Sequence, residues 1–295
     1  MSGRRLRVAV LGSTGGWHAK RLERALTARG HECGFAPVRR MVGRIEGGLS
    51  VRGDELALDG CDVVVVRGIP RGSLEQVVFR VDALHALGAA GVRAVNRAQA
   101  IERTVDKFLA SALLVHAGLP TPRTIACERP ADALAAFAEL GGDVIVKPLF
   151  GSMGLGMVRV EDRDVAQRVF RALELERAVY YLQETLPHTG SDVRALVVGK
   201  RVVASIERIG EGWRTNLARG AHARPVRLDA RREGLCVRAA AALGADYAGV
   251  DLVRAADGRD YVVEVNGIPG WQGAEQATGV DVAAALAEHL ETVVR

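Results

Sequence analysis

Two apolar runs joined by Asp257-Gly258 constrain this chain more than any other stretch. The segment DLVRAADGRDYVVEVN (251–266) reads as a β-hairpin, because Asp-Gly supplies the positive φ angles of a two-residue hairpin turn. With those two residues as the turn, Asp251 lies directly opposite Glu264, and Asn266 projects from the same strand face as Glu264. Like charges opposed on a sheet are destabilising. A solvated acidic edge is the bland reading, and a bound divalent cation is the sharper one. Two carboxylates and an amide oxygen, completed by phosphate oxygens, make the hard-oxygen set that Mg²⁺ prefers.

The first hundred residues alternate strand and helix. RVAVL (7–11) is a strand, His18 to Arg29 a helix closed by Gly30, and CDVVVVRG (61–68) a second strand. Leu74 to Leu87 is a helix closed by Gly88, and VRAVN (92–96) is a third strand. Such alternation implies a parallel sheet; the stretch from 40 to 60 reads as strand and loop. Gly12 to Gly16 follows the first strand, but its spacing is not G-x-G-x-x-G. It reads as a tight strand-to-helix turn, with a nicotinamide-binding oxidoreductase as the weaker alternative. Further on come helices at Ala100 to Ala117, Pro130 to Leu140 and 164–175, and then mostly strands. A helix at about 229–243 and another from Val280 to Val294 complete the pattern. The fold class is α/β, turning α+β in the C-terminal part, with units at 1–98, 99–179 and 180–295.

Composition removes several function classes. The 295 residues carry a net charge of +5, yet the basic residues are dispersed and aromatics make up only 4%. Strand-gripping nucleic-acid proteins interleave the two, so no nucleic-acid partner is expected. No apolar run approaches the ~20 residues a membrane helix needs. Val8 to Leu11 is too short for a signal-peptide core. Cys33, Cys61, Cys127 and Cys236 are far apart, which argues against a disulfide or zinc framework and for a reducing cytoplasm.

Of the 40 basic residues only Lys20, Lys107, Lys147 and Lys200 are lysines. In a chain that otherwise uses arginine, a lysine in a site-like context marks a need for a compact point charge. Lys147 ends the strand of VIVKPLFGSMGLGMVRV (144–160), just before Gly151, Gly154 and Gly156. Glycines let backbone amides approach phosphate oxygens. No Gly-Lys-Ser/Thr follows and no helix begins there, so this is a strand–loop–strand flap rather than a Walker A loop. An ordinary Gly-rich hairpin is the alternative.

These segments, with VNRAQAIERTVDKFLA, LQETLPHTGSDVRALVVG and SIERIGEGWRTNLARGA, resemble the ATP-grasp superfamily and within it the RimK-like α-L-glutamate ligases. The resemblance runs from about residue 95 to the C-terminus and is weaker in the N-terminal α/β unit, which would be the pre-ATP-grasp domain. It implies that Lys107, Lys147 and the flap residues Gly151, Ser152, Met153 and Gly154 bind ATP phosphates. Gln183, Glu184, Thr185 and Leu186 would read the adenine edge, with Glu184 or Asp192 near the ribose. Arg194, Arg214 and Asn216 would lie along the phosphate and acyl-phosphate path, and Asp251, Glu264 and Asn266 would hold two Mg²⁺ ions, with Mn²⁺ as a substitute.

The implied reaction joins an acceptor carboxylate to the amine of an amino acid, glutamate, through an acyl-phosphate, in a homo-oligomer (dimer or tetramer). Lys147, Arg194 and Arg214 would be the catalytic set. The continuation Gly267-Ile268-Pro269-Gly270-Trp271 departs from the carrier-protein branch and favours a small cofactor-like acceptor, with a ribosomal-protein C-terminus as the alternative. A non-catalytic ATP-binding regulator is a further reading from another class. From the residues alone, solvated strand positions are the weaker alternative reading of Arg194 and Arg208. His188 receives no role, and Trp17, His18 and Trp271 are candidates for substrate contact by position only, the weaker reading of each.

Overall fold

The computed structural model describes residues 4–13, 15–151, 154–188, 190–210 and 222–294. The chain runs β1 (Arg7–Leu11), α1 (Trp17–Ala28), β2 (Glu32–Ala36), β3 (Met41–Ile45), β4 (Leu49–Gly53), β5 (Leu56–Ala57), β6 (Val63–Val66), α2 (Leu74–Ala89) and β7 (Arg93–Val95). Strands β2-β1-β6-β7 form a parallel sheet, and β3-β4-β5 a separate antiparallel one. The all-valine β6 is buried throughout, as a parallel strand covered on both faces must be. The helix expected to close at Gly88 runs on to Ala89, and the left-handed residue that reverses the chain is Gly91 (φ +91°).

Next come α3 (Ala98–Val105), α4 (Lys107–His116), β8 (Thr124–Cys127), α5 (Pro130–Glu139), β9 (Val144–Lys147), β10 (Val158–Val160), α6 (Arg163–Leu175) and β11 (Tyr180–Glu184). Strands β10-β9-β11-β8 make the second large sheet. The sequence suggested one helix over Ala100 to Ala117, but the chain breaks at Asp106. That residue leaves helical geometry (φ −87°, ψ 105°) and caps the second helix by accepting from the Leu109 amide. An aspartate competes for its own backbone in this way and so favours caps over helix interiors.

The last part holds β12 (Ser191–Val198), β13 (Arg201–Ile209), β14 (His222–Pro225), α7 (Ala230–Ala242), β15 (Tyr247–Arg254), β16 (Asp260–Asn266), α8 (Gln272–Thr278) and α9 (Val282–Val293). Its antiparallel sheet is ordered β14-β13-β12-β15-β16. The final helices return to the beginning of the chain. Leu286 and Leu290 of α9 share one buried cluster with Leu22 and Leu26 of α1 and Leu196 of β12.

In the β15–β16 hairpin Asp251 does oppose Glu264, although the turn is one residue longer than expected. Ala255 bonds to Arg259 across a three-residue loop whose last member, Gly258, is left-handed (φ +81°). A bulge at Val263 inserts one residue into β16 and offsets the difference.

Candidate active site

A cleft lies between the second sheet and the C-terminal sheet, lined by Lys107, Lys147, Gly151, Gly154, Gln183, Glu184, Thr185, Leu186, Asp192, Asp251 and Glu264. Eleven sequence-singled residues thus meet in one place, from five separate stretches of chain. Arg208, His188 and the apolar Ile145, Leu155, Met157, Val253 and Val263 line it as well. Ser152, Met153, Arg214 and Asn216 fall outside the described residues.

Local structure explains one wall. The break at Asp106 makes Lys107 the first residue of α4, and its Nζ donates to the Gly151 carbonyl at 3.0 Å. Lys147, at the end of β9, is 9% exposed and donates a short hydrogen bond to Gln183 Oε1. The Gln183 amide group in turn donates to Thr124 Oγ1 at 3.0 Å. Burial pulls the Lys147 ammonium down to about 8, against the opposing pull of Glu264 and with help from Lys107. Burial lowers Lys107 too, and there Glu264 and Asp106 act in the other direction. Gly156 holds φ +75°, and a Cβ there would come within 2.8 Å of the Pro148 ring, so this end of the flap accepts only glycine without strain.

Register builds the opposite wall. Arg208 faces Asp192 across β13–β12, Arg194 faces Asp251 across β12–β15, and Asp251 faces Glu264 across β15–β16. One face of four adjacent strands, β13-β12-β15-β16, therefore carries a charged row. Arg208 Nε donates to Asp192 Oδ1 at 2.6 Å, and its Nη2 lies 2.9 Å from Asp251 Oδ2. Arg194 Nη2 donates to the same Oδ2 at 2.9 Å, while its Nε lies against Oδ1 without hydrogen-bond geometry. Burial opposes the Arg208 charge, but Asp251 and Asp192 outweigh it and hold the guanidinium above its ordinary range.

Two expectations change here. Arg194 and Arg208 are not solvated strand positions: Arg208 is only 5% exposed. The opposed carboxylates also do not by themselves demand a cation, since two guanidinium groups already face Asp251. The donor chemistry nevertheless fits a hard cation. Asp251 Oδ1 is buried and accepts no hydrogen bond, with only Arg194 Nε lying against it, and Glu264 faces the cleft beside it. Asn266 Oδ1 accepts from the Ile268 amide at 2.9 Å, which orients the side chain. Among the described residues no three His, Cys, Asp or Glu side chains converge on one point. Any metal there needs ligands from elsewhere, as a nucleotide's phosphates would provide.

At the linker, the Glu184 amide donates to the Arg123 carbonyl at 2.9 Å and the Thr185 amide to the Asp143 carbonyl at 3.2 Å. Glu184 Oε1 accepts from the Arg123 amide at 2.7 Å, so this carboxylate is partly engaged in holding β11 to the chain before β8. His188 also lines the cleft, and its Nδ1 accepts from the Gly190 amide at 3.1 Å.

The N-terminal unit supports the far end. Trp271 is 1% exposed and stands edge-on to His18, with ring centroids 4.6 Å apart. The Arg67 guanidinium lies 4.3 Å over the Trp271 ring and donates to the Tyr247 hydroxyl and the Pro269 carbonyl. Burial, and secondly Arg67, push His18 down to about 4. Trp271 is therefore packed between units rather than presented to a ligand. The sequence reading missed Asn96, which is fully buried. Its Nδ2 donates to the Tyr247 and Gly267 carbonyls, and its Oδ1 accepts from the Asp246 and Tyr247 amides. A buried asparagine satisfied on both ends fixes the backbone next to Asn266, but nothing in VRAVN distinguishes it from a strand-end turn residue.

Comparison with known proteins settles the family. The model of the RimK-like ATP-grasp domain matches residues 104–290. The chain belongs to the RimK-like ATP-grasp family. It is 32% identical over 269 residues, 81% of this chain and 83% of the relative, to a tetrahydromethanopterin:α-L-glutamate ligase of Methanosarcina acetivorans. A probable α-L-glutamate ligase of Halorhodospira halophila is 34% identical over 292 residues, 97% of this chain and 95% of the relative. Among solved structures, the ATP-grasp ligase PsnB with its minimal precursor superposes with a TM-score of 0.78 at 26% identity, covering 99% of this chain and all of that one. The RimK-domain ATP-grasp protein of Sphaerobacter thermophilus gives 0.73 at 25% identity, with 96% and 99% covered. As an ATP-grasp ligase, this protein binds ATP and forms an amide bond between a carboxylate and an amine. No helix among the described residues is long and apolar enough to cross a membrane.

Proposed function

We propose that this RimK-like ligase adds L-glutamate to the carboxylate of a small, cofactor-like acceptor in the cytoplasm, as a homo-oligomer. The observation that carries the site assignment is the charged row facing the buried Lys147 and the half-buried Lys107 across one cleft. In this reading the adenine lies among Ile145, Leu155, Met157 and Val253, its edge read by the backbone of Gln183 to Leu186. Glu184 or Asp192 would meet the ribose; Glu184 has one oxygen on the Arg123 amide, while both oxygens of Asp192 already accept from Arg208. Lys107, Lys147 and the flap from Gly151 to Gly154 receive the phosphates. Arg194, Arg214 and Asn216 follow the phosphoryl group to the acceptor.

Asp251, Glu264 and Asn266 would hold two Mg²⁺ ions, or Mn²⁺ in their place, which supply positive charge where the transferring phosphoryl group becomes most negative. Lys147 adds a fixed charge that needs no reorganisation at the moment of transfer. The acceptor carboxylate takes the γ-phosphoryl group, ADP leaves, and the glutamate amine displaces phosphate from the acyl carbon. No enzyme nucleophile is required. The flap excludes water, which would otherwise hydrolyse the acyl-phosphate.

The test is mass spectrometry of candidate acceptors incubated with ATP, Mg²⁺ and each amino acid in turn. A pterin-type or similar small acid should gain the mass of one or more glutamate residues, with ADP released only when both substrates are present. Gain on a peptide or protein C-terminus alone would replace the acceptor class while leaving the ligase chemistry. Glu264→Ala should fold normally by circular dichroism yet lose ADP release by at least about a hundredfold, the scale typical of removing one electrostatic stabiliser. Near-normal turnover in that variant would sink the metal assignment.

A further inference from the structure

Resting on the oligomer proposed above, we propose that two copies join along the free edge of β3, antiparallel about a two-fold axis at Gly43. β3 is the edge of its three-stranded sheet. Which groups face outward follows from β4. The Val51 amide donates to Asp59 Oδ1 and its carbonyl accepts from Leu58, so both point away from β3. Val51 is the partner of Gly43. The Gly43 amide and carbonyl therefore point away from β4, out of the sheet edge, and by alternation so do those of Ile45.

The flank of this edge is apolar. Ile45 is 90% exposed, and on the neighbouring helix α2 Leu74, Val78 and Phe79 are 81%, 45% and 46% exposed. Phe79 belongs to this flank, since a Cβ on Gly43 would stand 3.7 Å from its ring. An unprotected apolar edge strand is a template for pairing with another chain. A glycine in mid-strand is a usual mark of close approach by a second backbone.

Sequence complementarity selects a second copy as the occupant. Centred on Gly43, the two Gly43 residues exchange both N–H···O bonds, and each Ile45 amide reaches the partner's Met41 carbonyl. The Met41 amide is already spent within its own chain, on the Val38 carbonyl. Just beyond the strand ends, the same register brings Arg40, which also pairs with Asp54 of its own chain, near the partner's Glu46, an exposed acid with no ion-pair partner among the described residues. Arg44 falls opposite the partner's Val42, which avoids the like-charge contact that centring on Arg44 would create. Phe79 and its copy then meet over the paired glycines.

No residue of β3 or α2 lines the cleft, so sedimentation tests this inference and ADP release tests the ligase reading separately. The wild-type protein should sediment as a dimer or an even multiple of one, and Ile45→Asp should halve its mass with ADP release unchanged. At 90% exposure, Ile45 can be replaced without disturbing the monomer's core. Gly43→Cys should cross-link to a dimer on mild oxidation, since a hydrogen-bonded pair sits roughly 5.5 Å apart at Cα, inside the span a disulfide bridges. Arg40→Glu should weaken the dimer at least about fivefold, and Arg40→Glu with Glu46→Arg should restore it. A monomeric wild-type protein, an undiminished oligomer in Ile45→Asp, or failure of Gly43→Cys to cross-link would overturn the proposal.

Discussion

Lys147 is buried with its charge, held by Gln183 and by the field of Glu264 across the cleft. Its folded-state pKa of about 8 lies below the ordinary 10.5. Between these values the unfolded chain binds a proton that the native protein does not, so this residue makes stability rise with pH across that window. Below about 8 its burial costs a constant amount, on the order of 3 kcal/mol. Lys147→Met should therefore be more stable than wild type near neutral pH, by that margin less the bond lost at Gln183. The gap should close as pH rises through about 10.5 in urea titrations while ADP release is abolished. Lys147→Arg offers a sharper contrast. Arginine cannot shed its proton in this range, so its stability should lack the rise, and its planar fork should serve the phosphates poorly. A wild-type stability flat across the window would show that Lys147 is not the group titrating.

At the scale of elements, the interruption between α3 and α4 aims Lys107 at the flap. Asp106→Ala removes the cap at a cost of about 1 kcal/mol and favours a continuous helix that would carry Lys107 around its axis. KM for ATP should rise severalfold with kcat less affected, while Asp106→Asn, which keeps the cap, should behave nearly as wild type. The break itself was not legible, because the apolar pattern is continuous across it. The flap was, since its glycines and rare lysine are sequence facts that no packing alters. Strand register was legible only in part. In β15–β16 the longer turn and the Val263 bulge compensate, so the opposition of Asp251 and Glu264 follows from the sequence although neither irregularity does. In β12–β13 a two-residue turn at Gly199-Lys200 pairs Val198 with Arg201, and without a bulge it would set Asp192 opposite Glu207. The register shift near Leu196/Val197 moves the partner to Arg208 instead. A slip of one residue exchanges the two faces of a strand, which is why Arg208 was not assignable until the strands were paired.

On the scale of the whole molecule, the cleft depends on contacts that no single unit contains. The row ending at Asn266 is continued by Gly267, and Asn96 from the N-terminal unit fixes that backbone together with Tyr247. Arg67 and His18 brace the following turn through Trp271 and Pro269. These are long-range couplings between side chains with no local signature, so the sequence reading had no route to them. Asn96 is the most exacting of them, because one end must accept from two amides while the other donates to two carbonyls. Asn96→Asp keeps the acceptor end but turns a second oxygen on the carbonyls, so the variant must stay protonated or break the contact. The unfolded carboxylate ionises near 4, and the native one would be held above that value. Its stability should therefore fall as pH rises through the weakly acidic range, relative to wild type. At neutral pH the deficit should be at least about 2 kcal/mol, the scale for leaving buried polar groups unpaired. If Asn96 locks the far wall of the cleft, the same variant should also bind nucleotide less well, and excess Mg²⁺-ATP should recover part of the lost melting temperature. A variant that is destabilised uniformly at every pH, with nucleotide affinity intact, would confine Asn96 to folding alone.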